Sequence, residues 1–308
     1  MNLFTGNPAP ITTGQAIDID TPFSRVCRNF AESKLAVGAL VVFVCIVLLA
    51  VLSPWISPQN PYDLAEIDIL DGRLPPGSKG INGMTYWLGT DDQGRDMLSA
   101  MFYGLRISLG VGVMSGFVAL GLGMFMGLVA AYFGGKLDDL LMRIVDLQLG
   151  FPSILIAMIL LAVLGRGVDK MVLALVVTQW AYFARTVRGA ALSERRKEYI
   201  EAAECLVLSP ARITFRHLLP NCLPPLIVVG TVNVAHAIAL EATLSFLGIG
   251  LPITEPSLGL LISNGYEYIL SGRYWISFFP GVALFITIAS INLVADQLRE
   301  VLNPRLQK

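Results

Sequence analysis

The chain has 308 residues, 55% of them hydrophobic and only 15% charged, with a formal net charge of −1. Soluble domains carry about a quarter charged residues, so this composition excludes an ordinary soluble protein and points to the membrane. The near-neutral balance also excludes the basic footprint of a nucleic-acid-binding protein.

Residues 1–34 read as a polar, irregular N-terminal segment, with Arg25, Arg28 and Lys34 just ahead of the first apolar run. Leu35–Leu52 carries no charge and is long enough to cross most of the roughly 30 Å of bilayer hydrocarbon at about 1.5 Å per residue. It exceeds a typical signal-peptide core and no small-residue cleavage site precedes Ser53-Pro54, so it reads as a retained first span. Residues 53–104 are rich in Pro, Gly and Asp and are expected to carry a short amphipathic helix near the membrane surface. Within them, Gly89-Thr90-Asp91 and Gly94-Arg95-Asp96 are turn chemistry.

No charge appears from Ile107 to Gly135, which makes 107–135 the clearest span. Ser108, Gly112 and Gly116 recur every four residues, and Gly123 with Gly127 repeats the interval. Small residues so spaced form a helix-packing seam, although glycine is common in such helices for less specific reasons, and both readings stand at this point. Lys136–Arg143 reads as a short turn, followed by spans at about 144–164 and 171–192. Arg185 and Arg188 are expected to emerge into water.

The stretch 193–222 is a polar island between apolar segments. Glu194, Lys197, Glu198, Glu201 and Glu204 follow helical steps while Tyr199, Ala202, Ala203 and Leu206 fall on another face. Ser209-Pro210 reads as an N-cap followed by proline at the first helical position, starting a second short helix to about Leu218. Pro220, lacking an N–H, is expected to close the unit. Spans at about 223–247 and 276–298 complete six, with Gly248–Gly259 read as a loop between them, so both termini face one side. Fifteen of the 22 basic residues lie on the side of the termini and of the 193–222 loop, which the positive-inside rule makes the cytoplasm. No cysteine falls in a predicted external loop.

Ionisable groups inside hydrocarbon are costly and should face a cavity or a partner. His236, Glu241 and Asn233 share the fifth span and could line a path or make interhelical contacts, with Asn292, Gln179 or Gln148 as partners. The interhelical reading is preferred for His236, and Glu241 stays open. Asp146 and Asp296 read as boundary residues. No Walker A pattern occurs, so no phosphate cradle is visible. Cys27, Cys45, Cys205 and Cys222 show no Cys-x-x-Cys spacing and there are only two histidines, so no metal site is expected. No catalytic constellation is visible and the chain itself is not expected to be an enzyme.

Glu201-Ala202-Ala203, followed after an interval by His217-Leu-Leu-Pro220-Asn221, resembles the "EAA" loop of ABC-importer permeases. Trp87–Asp96 leading into Leu105-Arg-Ile-Ser-Leu resembles the C-type permease subunits of dipeptide and oligopeptide importers. So does Leu244-Ser-Phe-Leu-Gly248 followed by Pro256-Ser257-Leu258-Gly259, where Leu258 replaces the usual Trp. The resemblance runs from Leu35 to the Leu302-Asn-Pro-Arg305 end and implies an all-α, six-span permease domain (35–308) of the type I importer fold in a bacterial inner membrane, with residues 1–34 and both termini cytoplasmic. It implies coupling to ATPase subunits through Glu201, Ala202, Ala203, Val207, Ser209, Pro210, His217, Pro220 and Asn221. The implied partners are a second, homologous permease in a heterodimer, two cytoplasmic ATPases holding ATP and Mg, an external solute-binding protein and membrane lipid. The chain itself is expected to bind no cofactor. The family usually has glycine where Val207 stands, so the turn is expected to shift to Leu208-Ser209. The alternative is an ion- or proton-coupled secondary transporter with Glu241 and His236 as a relay, which inverted repeats or broken helices would accompany.

Overall fold

A computed structural model describes residues 22–302 other than 64 and 253. The expectations for 1–21 and for the Asn303-Pro304-Arg305 end lie outside the described residues. The N-terminal segment is not wholly irregular: Pro22–Glu32 forms helix α1. Its Val26, Asn29 and Phe30 are half-buried while Arg25 and Arg28 are exposed, the face spacing of an amphipathic helix. Ser33 then breaks the helical run in an extended conformation, and its hydroxyl accepts from the Ala36 N–H, capping α2 (Lys34–Ile56).

Residues 57–96 fold into a cap at the far end of α2. Instead of the expected amphipathic helix, the described residues there hold only a short turn at Ile69–Asp71 and a two-stranded hairpin, β1 (Ser78–Lys79) with β2 (Thr85–Tyr86). Side chains that bond backbone compete with helix formation in a segment this rich in Asp, Gly and Pro. The buried Asp71 carboxylate accepts from the Ile81 N–H at 3.1 Å and the Tyr86 hydroxyl at 3.0 Å. Gly94, at φ +84°, sits where a Cβ would lie 2.1 Å from the Asp68 carbonyl, so the close approach needs glycine. The next residue, Arg95, is only 1% exposed and pairs with Asp91 at 2.6 Å. Asp96 caps the following helix by accepting from the Ser99 N–H at 2.8 Å. The Trp275 indole donates to the Thr90 carbonyl at 3.2 Å, which fastens the cap to the last helix.

Helix α3 (Met97–Phe133) is about 55 Å long at 1.5 Å per residue and is the axis of the bundle. The small-residue repeat along it is a packing seam. A Cβ on Gly112 would lie 2.6 Å from Ile238 of α9 (Leu219–Phe246), and one on Gly127 would lie 2.5 Å from the Ala184 carbonyl of α6 (Val168–Glu194). The same helix therefore meets α9 along its first half and α6 along its second.

The stretch 136–143, expected as a turn, lies inside α4 (Gly135–Gly150). Gly134 and Gly135, at φ +61° and +54°, make the reversal instead. The expected span 144–164 is not one helix. It is the end of α4 joined at a 92° bend to α5 (Ser153–Leu164). Pro152 has no N–H for the α4 ladder and biases Phe151 towards the extended conformation, which it adopts. Arg188 does not simply emerge into water: its guanidinium makes two 2.6 Å bonds to Asp138 of α4. Arg185 pairs with Asp146, and the Gln148 amide donates to the Val177 carbonyl, so three contacts tie α4 to α6.

Among the described residues, four helical runs are long and apolar enough to cross a membrane: α2, α3, the run Pro210–Phe246 and α11 (Trp275–Leu302). The bent α4–α5 pair makes a fifth if it is one broken span. The expected 171–192 span lies inside α6, which has charged residues towards both ends. The loop expected at 248–259 is followed by a further helix, α10 (Leu258–Tyr266), capped by Ser257.

The seam generates a direct test. Gly127→Ala must push α6 away and should cost about 1–3 kcal/mol of stability by overpacking. Gly110, with nothing within 4 Å of its missing Cβ, should accept alanine with no loss, since alanine is the better helix former. Thermal unfolding of the two variants in detergent checks this, and equal melting temperatures would contradict the close contact.

Candidate functional site

The 193–222 stretch forms a protruding unit at the end of the bundle opposite the cap. Arg195, which follows α6, donates to the Ala131 and Tyr132 carbonyls at 3.1 and 3.2 Å. These carbonyls lie in the last turn of α3, where helix carbonyls lack intrahelical partners and a cation is favoured.

Helix α7 covers Glu198–Cys205. Its Ile200 and Ala203 are buried against the bundle, while Glu201 and Ala202 are exposed. Val207 occupies the left-handed conformation itself, at φ +53°. The Val207 N–H donates to Glu204 and the Leu208 N–H to Ala203, the pair of bonds that defines a Schellman end. The turn thus stays at Val207 and does not shift to Leu208-Ser209. The two bonds satisfy the end of α7 well enough to hold a β-branched residue where glycine is preferred, at a strain of roughly 1–3 kcal/mol.

Ser209 takes the N-cap position with Pro210 at the first helical position, but its hydroxyl makes no capping bond. The short helix α8 (Pro210–Arg212) passes into a π-helical turn, Ile213–Leu218, which continues without interruption into α9. Pro220 therefore does not close the unit. It falls in the first turn of α9, where a missing N–H is tolerated, directly after a turn in which the α-helical ladder has already been displaced.

A side-chain chain closes the base of the protrusion. The Tyr199 hydroxyl donates to Glu194 at 2.8 Å, and Asn221 donates to Tyr199 at 3.2 Å and to the His217 carbonyl at 2.7 Å. Lys197 pairs with Glu194 at 2.6 Å. Burial, then the hydrogen bond to Glu194, push the Tyr199 phenol up to about 12, so it stays a proton donor at neutral pH. Sequence reasoning gave Tyr199, Glu194 and Arg195 no role in this linkage. The available signal was a lone tyrosine on the apolar face of an alanine- and glutamate-rich helix.

The polar residues of α9 do not form one site. Glu241 is fully buried and accepts from Ser108 of α3 at 2.9 Å and from Ser245, one turn along α9, at 2.7 Å, so one oxygen is bonded across to α3 and the other within its own helix. Asn233 is buried and donates back to the Val229 carbonyl of its own helix at 2.9 Å. His236 is exposed, contrary to the interhelical contact expected for it, because five residues place it about 140° around α9 from Glu241. Gln148, one of its expected partners, bonds Val177 instead. The described residues contain no group of His, Cys, Asp and Glu able to hold a metal.

Two substitutions probe these contacts. Val207→Gly should raise thermal stability by about 1 kcal/mol through relief of the left-handed strain. Glu241→Leu should lower it by about 2 kcal/mol or more, because two buried serine hydroxyls lose their acceptor. Both are read by thermal unfolding, and a destabilised Val207→Gly would contradict the strained turn.

Residues 119–308 match the family described as the binding-protein-dependent transport system inner membrane component, and residues 21–76 match the N-terminal TM domain of oligopeptide transport permease C. The oligopeptide transport system permease protein OppC of Bacillus subtilis (strain 168) is 35% identical, with 100% of this chain and 98% of that protein covered. The di/tripeptide transport system permease protein DppC of Pseudomonas aeruginosa (strain UCBPP-PA14) is 33% identical, with 93% of each covered. Among solved structures, an inward-facing MetNI methionine ABC transporter chain superposes with a TM-score of 0.56 at 22% identity, over 67% of this chain and 98% of that one, a likeness of fold. Taken with the helical bundle and the full-length relatives, these matches establish that the chain belongs to the inner membrane components of binding-protein-dependent transport systems.

Proposed function

We propose that this chain is a permease subunit of an ATP-driven peptide importer, forming half of the translocation pathway, and that the 198–221 protrusion receives the motion of cytoplasmic ATPase subunits. The observation that carries the reading is mechanical. The exposed face of α7, with Glu201 and Ala202, belongs to a unit fastened at its base to α3 through Arg195 and to α6 and α9 through Glu194, Tyr199 and Asn221. A push on α7 is thereby delivered to three long helices at once, as a rigid-body swing between two bundle states requires.

The excess of basic residues on the side of this protrusion supports a cytoplasmic placement with both termini on that side. The 57–96 cap is then on the opposite face, available to a solute-binding protein, and a second homologous permease completes the pathway. The names of the relatives support a peptide-like substrate. ATP and Mg reside on the ATPase subunits, consistent with the lack of a Walker A pattern. A proton-coupled mechanism is disfavoured because Glu241 is enclosed by serine hydroxyls while His236 lies on a different face of α9.

Glu201→Lys tests the reading in the assembled importer. An exposed charge contributes little to folding, so insertion and permease pairing should be normal. Reversing it against a basic partner should lower peptide uptake and substrate-stimulated ATP hydrolysis by about tenfold, equivalent to about 1.4 kcal/mol. Full uptake at normal expression would show that the motion enters elsewhere.

A further inference from the structure

Beside the protrusion, between the last third of α3 and the Pro210–Leu219 segment, runs an apolar groove of about 440 Å³. Met124, Phe125 and Leu128 line it on one side, Phe215 and Leu219 on the other, and Phe133 marks its end at the protrusion. Phe125, Phe133 and Phe215 are all exposed, with more than half of their surface open. From Gly121 to Phe133 the α3 wall extends about 18 Å at 1.5 Å per residue. One leaflet of bilayer hydrocarbon is about 15 Å deep. The groove therefore runs the depth of a leaflet, parallel to a spanning helix, and ends where the chain leaves the apolar region.

The segment that forms one wall carries two arginines. Arg212 and Arg216 are exposed one turn apart, next to the groove-lining Ala211 and Phe215, and neither makes an ion pair among the described residues. No acidic side chain lines the groove. Two guanidinium groups on the segment that forms one wall of an apolar slot match a phosphate diester above an acyl chain. We propose that this groove is a binding site for an anionic phospholipid, with one acyl chain lying along α3 and the phosphate held by Arg212 and Arg216. A lipid so placed packs against the π-helical turn that joins the protrusion to α9, so its presence would stiffen that junction.

The test uses the full chain, delipidated in neutral detergent and titrated with phosphatidylglycerol or phosphatidylcholine, with bound lipid counted by native mass spectrometry and stability read by thermal unfolding. Phosphatidylglycerol should be retained and should raise the melting temperature more than phosphatidylcholine. Arg212→Gln combined with Arg216→Gln should weaken its binding by roughly 30-fold, equivalent to about 1 kcal/mol per arginine. Leu128→Trp should block retention with both arginines intact. Equal binding of the two lipids, or selective binding that survives the double substitution, would overturn the proposal. So would unchanged lipid binding combined with loss of ATPase-subunit association, which would assign the arginine row to a protein partner.

Discussion

The close approach of α3 to α6 and α9 is the contact on which the other features depend. Lipid tails are as apolar as leucine, so helices in a bilayer gain little from hiding side chains and associate where backbones come close enough to pack. Gly112 and Gly116 admit Ile238 and Val234 of α9, whereas Gly123 and Gly127 admit the Trp180–Val187 stretch of α6. A single helix thus fixes the spacing of two neighbours. The positions of the Glu241 node at one end of the seam and of the Arg195 contact at the other follow from it.

Several polar groups in this bundle are paired where they would otherwise face hydrocarbon, although the buried Gln179 amide of α6 makes no side-chain bond among the described residues. Glu241 sits among serines, Asn233 bonds its own helix, and the terminal carbonyls of α3 meet Arg195. An unsatisfied group in such surroundings costs several kcal/mol, so these bonds restrict how the helices can slide past one another. In the cap at the other end, Arg95 and Asp91 are both almost completely buried and bonded to each other.

The protrusion combines an exposed face with a bonded base. Its outer surface is held by local backbone bonds, including the strained turn at Val207, whereas its base is held by side chains of α6 and α9 and by the terminal carbonyls of α3. The bonded base and the exposed tip thus differ in how tightly the bundle holds them. The π-helical turn is the point at which this element becomes a membrane helix, and it is also the wall of the aromatic groove.

The membrane class, the apolar runs near 35–52, 107–135, 223–247 and 276–298, and the polar island at 193–222 were legible in the sequence. Hydropathy and helical spacing are local properties of consecutive residues, and the four-residue repeat of small side chains was visible as a pattern. Which helices that repeat would meet was not, because contact partners are set by packing across more than a hundred residues. The 92° break at Pro152 was equally hidden: proline permits a bend, but the ties from Asp138, Asp146 and Gln148 to α6 accompany its direction. Pro220 misled in the opposite sense, since a π-helical turn let the chain continue where a proline alone argues for a stop. Val207 held the turn against its own preference because two backbone bonds outweigh one unfavourable dihedral. Tertiary structure decided these points, as each depends on bonds and contacts that exist only once distant segments are placed together.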